Sequence, residues 1–164
     1  MPGGSSKSII PEQSLIKLPE IFNYNLYFML TVNRHMLEDL LAPIGGSADT
    51  DDERSMELLS INGNDRARVE KVILEEIRPY YESRSEDHRD SIKRSLAYFL
   101  TTNHVDFGKL YDSNLIAFDH PQNPRDFFLW TWSILFPNED FYISDLSKYT
   151  EHDDIKETTR YYPI

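Results

Sequence analysis

The sequence predicts a mainly α-helical fold: a single compact helical domain of about five or six helices, with one minor β-hairpin or short strand pair. Three observations predict it. Apolar residues recur at three- and four-residue spacing through most of the chain. Capping and breaking residues punctuate that pattern at intervals that suit ordinary helices. The 164 residues, 40% apolar and 27% charged, are enough for one core and too balanced for wholesale disorder.

The elements follow in chain order. Residues 1–11, with Gly3, Gly4, Ser5 and Ser6, read as a flexible N-terminal tail, and residues 12–164 as the domain. Leu26, Met29, Leu30, Met36, Leu37, Leu40 and Leu41 share one helical face. They predict a helix over 25–41, ended by Pro43 and by Gly45 and Gly46. A loop leads to a short helix over 53–61, capped by Asp51 or Asp52.

Gly63 is a stop signal, and Asn64 or Asp65 caps the next helix. Its inner face is Val69, Val72, Ile73, Ile77 and Tyr80, and Pro79 ends or kinks it. Ser83 or Ser85 opens a further helix that carries Ile92, Leu96, Phe99 and Leu100 inward to about Thr102. Residues 103–122 read as irregular, with 115–118 a short buried strand or a packed loop. Asn123 and Pro124 are a cap and a first-turn proline for a helix over 124–136. That helix is apolar nearly all round, which predicts the most buried element. In the C-terminal segment, 138–164, residues 141–143 read as extended and 153–159 as one or two helical turns.

Charge is unevenly placed. The formal net charge is −11. Residues 64–94 hold eight acids and eight bases, with Glu86–Arg89 and Asp90–Lys93 at helical spacing, and read as solvated helix faces. Residues 49–57 hold five acids against one base, and residues 138–157 seven acids against two. Tyrosines interleave the second cluster. Carboxylates set among tyrosines suit a basic protein partner: the acids steer the encounter and the rings supply rigid area to bury. The expected partner-binding residues are Asp49, Asp51, Asp52, Glu53, Glu139, Asp140, Tyr142, Asp145, Tyr149, Glu151, Asp153 and Asp154.

The same charge disfavours nucleic acid and anionic lipid as partners. There are no cysteines, which excludes a disulfide framework, a thiolate zinc site and a cysteine nucleophile. The N-terminus lacks a basic region followed by an apolar run, and no apolar stretch is long enough for a bilayer, so a cytoplasmic location is expected. No phosphate loop, dinucleotide fingerprint, serine elbow or His-Glu-x-x-His pattern is present. No catalytic residue, cofactor or metal is therefore expected. Two histidines and two acids would suit a divalent ion if Asp87-His88 met Asp119-His120, but neighbours on a helix diverge.

The leading expectation is a small acidic protein-binding module. One form is an immunity- or antitoxin-type inhibitor that caps the basic cleft of a toxin or nuclease. The alternative is an enzyme or small-ligand site near Asp87, His88 and the aromatic helix, with Trp130 or Trp132 lining a pocket.

Overall fold

The computed structural model describes residues 29–46 and 52–162. The expected N-terminal tail, the first residues of the expected first helix, Asp49, Asp51 and the side chain of Asp52 lie outside the described residues. In chain order the elements are β1 (Leu30–Val32), α1 (His35–Leu41), a 3-10 turn (Ala42–Ile44), α2 (Asp52–Leu59), α3 (Arg66–Val72), a π turn (Ile73–Ile77) and α4 (Arg78–Glu82). Then come α5 (Glu86–Thr102), α6 (Phe107–Asp112), α7 (Arg125–Leu135), β2 (Tyr149–Glu151) and α8 (Lys156–Thr159).

The fold is mainly helical with one strand pair, as expected. The strands run parallel, with Leu30 opposite Tyr149 and Val32 opposite Glu151, so they form no hairpin. Parallel strands need a crossover between them. Here nearly all the described helices are that crossover.

The strand pair also corrects the first helix, which starts at His35 and not at residue 25. Asn33 interrupts the helical pattern. Its Oδ1 accepts the His35 N–H at 3.0 Å, and its own N–H goes to Ser95 Oγ at 3.1 Å. Residues 30–32 instead carry the β-branched Thr31 and Val32 and find a partner in the distant tail.

Asp65 and Ser85 cap α3 and α5 through their side chains, as expected. Pro79 does not end its helix. The Arg78 N–H bonds to the Ile73 carbonyl, five residues back, and the wider turn carries the chain past the proline to Glu82. The stretch read as irregular contains α6, capped by the Asp106 carboxylate on the Lys109 N–H at 2.9 Å. Ile116 makes only an isolated bridge to Gly45, and Phe118 is buried.

The centre of the core is α5 and not α7. It buries eight side chains, whereas α7 buries four, and it packs on α1, α7 and β1. The apolar outer side of α7 lies partly exposed at the core margin, where the Arg66 guanidinium stands 5.7 Å from the Trp130 ring.

Candidate functional site

An open groove of about 310 Å³ runs between α5 and the extended segment after α7. Ala97, Trp132, Phe141, Ile143 and Tyr149 give it apolar walls, and Asp90, Lys93, Arg94, Glu139, Asp140 and Tyr142 line the rest. Each wall has a local cause. Trp132 is 5% exposed, and its indole N–H donates to the Glu139 carbonyl at 2.8 Å. Thr101 Oγ1 donates to the Phe141 carbonyl at 3.0 Å and accepts the Ile143 N–H at 3.1 Å, which holds 141–143 extended along α5. The Asp140 carboxylate accepts the Tyr142 N–H at 3.0 Å. That turn leaves Tyr142 67% exposed at the groove.

Four of the expected residues, Glu139, Asp140, Tyr142 and Tyr149, therefore meet in one place. Among the described residues, Glu53, Asp145, Glu151, Asp153 and Asp154 do not join them. Glu151 and Asp153 border a separate cleft with Arg34, Phe99, His104, Val105, Asp106 and His152. There Glu151 accepts the Tyr98 hydroxyl at 2.9 Å and faces His104 at 3.0 Å. Asp153 takes Arg34 at 2.6 Å and His35 at 3.0 Å. Asp145 closes a turn on Ser147 and faces Lys148 at 3.4 Å. The Ser147 hydroxyl, then Lys148, lowers its pKa. Asp154 accepts the Lys156 N–H ahead of α8. Glu53 is exposed on α2, a helix tied through Arg54 to Glu76.

Cations of the chain itself thus face several of these acids. In the groove, Lys93 Nζ stands 2.6 Å from Glu139. That contact replaces the expected Asp90–Lys93 pair. Between residues 64 and 94 the helix-surface pairs among the described residues are Arg66–Glu70, Lys71–Glu75 and Arg78–Glu82, and not Glu86–Arg89.

A third cluster surrounds His88. Asp87 beside it is exposed, while His88 is 1% exposed and turns inward. Its partner is Asp39 of α1, with Nε2 and Oδ2 2.9 Å apart at ion-pair distance but without hydrogen-bond alignment. Asp39 Oδ1 accepts the Tyr80 hydroxyl at 2.9 Å and also the Tyr162 hydroxyl. Tyr161 stacks on the imidazole, centroids 4.4 Å apart and planes 8° apart. Burial pushes the His88 pKa down, against the attraction of Asp39, and burial first among several causes pushes the Tyr80 hydroxyl far up.

No family model, curated protein or solved structure matches the chain.

The two histidines that would have suited a divalent ion had they met are in different surroundings. His120 places Nδ1 on the Pro121 carbonyl and its ring edge-on to Tyr111, while His88 sits under Tyr161. Among the described residues no three metal-ligating side chains converge. No helix among them is long and apolar enough to cross a membrane. Sequence reasoning missed Arg34, His35, Asp39 and Tyr80. Apart from Glu38, which faces His35 from three positions on, their partners are distant in the chain, so local spacing did not mark them. The sequence offered Trp130 or Trp132 for a pocket near Asp87 and His88; Trp132 lines the groove, which includes neither of those residues.

Proposed function

We propose that this chain is a protein-binding module that receives a basic protein on the groove between α5 and residues 139–143. Tyr142 carries the reading. An aromatic side chain two-thirds exposed at the rim of an aromatic groove gains little in its own fold. Covered by a partner, such a ring is worth about 2 kcal/mol. Asp90, Glu139 and Asp140 line the same groove and suit lysine or arginine. The net charge of −11 would steer a cationic surface toward the molecule over a longer range.

An inhibitor of the immunity or antitoxin kind, capping the basic cleft of a toxin or nuclease, is the concrete form we favour. Size and charge support it. A cytoplasmic setting goes with this reading, since the chain has no cysteine to protect or pair. The alternative site near Asp87 and His88 has less beneath it. His88 is sealed by Tyr161, and Asp87 points elsewhere.

The test is affinity capture with the tagged chain, each recovered protein then titrated against it in increasing salt. The reading expects a basic partner whose affinity falls with salt and drops about 30-fold for Tyr142→Ala. Recovery of acidic proteins only, or a partner indifferent to Tyr142→Ala, would remove it.

A further inference from the structure

Residues 154–162 are held to the body with little apolar burial. Thr158 is the one buried residue among them, and Ile155 is 60% exposed. The hold is polar and aromatic. Asn33 Nδ2 donates to the Asp154 carbonyl at 2.7 Å, the Tyr162 hydroxyl reaches Asp39, and Tyr161 lies on His88. A segment held this way opens at a fraction of the free energy of global unfolding.

Beneath it lies the least satisfied polar cluster among the described residues. Four buried side-chain polar atoms among the described residues lack a hydrogen bond, and three of them are Asp39 Oδ2, His88 Nε2 and Arg84 Nε. Such atoms disfavour the closed arrangement, and water admitted by opening would satisfy them. We propose that residues 154–162 form a strap that closes over the Asp39–His88 pair and lifts when His88 takes up a proton, baring both side chains to solvent.

The groups facing His88 set the direction. Asp39 from α1 favours the imidazolium, and Arg84 at the end of α4 opposes it. Tyr161 and Tyr162 from the strap are 4.4 and 6.0 Å away, ring to ring, and they exclude water. Tyr80 from α4 occupies the other oxygen of Asp39. Exclusion of water outweighs the Asp39 attraction, so the closed state resists the proton. The open state readmits water and accepts it more readily. Proton uptake therefore shifts the population toward the open strap.

NMR of the full chain tests this, with the His88 ring titrated and backbone amide exchange followed against pH. Exchange is referenced to the intrinsic chemical rate. As pH falls from about 6.5 toward the lower closed-state titration point of His88, amides of the strap are expected to exchange up to about tenfold faster per pH unit, the slope of one linked proton, and to level off below that point. Amides of α5, which open only with the whole fold, stay far better protected than those of the strap at every pH. Tyr161→Ala is expected to move the His88 midpoint up toward about 6.5 and to flatten the pH dependence, while Tyr161→Phe behaves as the parent. The proposal is overturned if strap amides are as well protected as those of α5, so that both exchange only through global unfolding, if strap exchange does not follow pH, or if Tyr161→Ala leaves the His88 midpoint in place.

Discussion

Asn33 donates its side-chain amide to the carbonyl of Asp154 at 2.7 Å, joining the start of the described chain to its last helix across 121 positions of sequence. The same side chain accepts the His35 N–H at 3.0 Å and so opens α1. At 2% exposure, neither bond has water as a ready substitute. Asn33→Ala removes both and leaves a donor and an acceptor without partners. The expected loss of stability is about 2 kcal/mol. Denaturant unfolding measures it, and a loss below about 0.5 kcal/mol would mean that water replaces the side chain.

Gly63→Ala is expected to be among the more damaging single-methyl changes. A Cβ at this position would lie 1.8 Å from the Asp119 carbonyl oxygen and 2.9 Å from the carbonyl carbon of His120. Both obstacles are backbone, so no rotamer relieves them. The loop before α3 has to separate from residues 119–120, at about 1–3 kcal/mol. A thermal midpoint equal to that of the parent protein would show that the two loops do not touch in solution.

Stability should fall on mild acidification. His88 in the fold has its pKa pushed down by burial, while in the unfolded chain it titrates near about 6.5. Below that pH the unfolded state binds the proton more readily, so the contribution of neutral His88 is full above about 6.5 and is lost as pH falls toward the depressed folded value. Denaturant midpoints between pH 8 and pH 5 would report the slope. His88→Gln, which cannot take up the proton, should flatten it. An unchanged slope would assign the acid sensitivity to other groups.

Two aromatic residues of one groove should separate stability from binding. Trp132→Ala removes a 5% exposed ring packed on Phe136 and Phe141, together with the bond to the Glu139 carbonyl. It should cost about 3–5 kcal/mol. Tyr142→Ala removes a ring that is 67% exposed and should stay within about 0.5 kcal/mol of the parent. A large loss at Tyr142 would mean that the ring serves the fold and is not held in reserve for a partner.

Capping residues were the most legible part of the chain. Asp65 and Ser85 act on neighbours three positions away, so their role is written locally. Gly63 was legible as a stop signal, but the reason for a glycine there is the backbone of residues 119–120. Residues 30–32 looked helical because Met29, Leu30, Met36 and Leu37 fit a helical face. The pattern could not register that β2 would take the backbone hydrogen bonds of β1. The candidate site divides the same way. Glu139, Asp140 and Tyr142 lie close in sequence and come together, whereas Glu151 and Asp153 are drawn to His104 and Arg34.

By itself the sequence determined the helical class, the caps at Asp65 and Ser85, the aromatic weight of α7 and the acidic excess of the C-terminal segment. These follow from local propensity, periodicity and composition, which act within a few residues. Tertiary structure alone decided that α5 is the centre, that β1 pairs with β2, that His88 meets Asp39, and which acids a cation of the chain already faces. Each of those depends on contacts between residues tens of positions apart, and local spacing does not encode them.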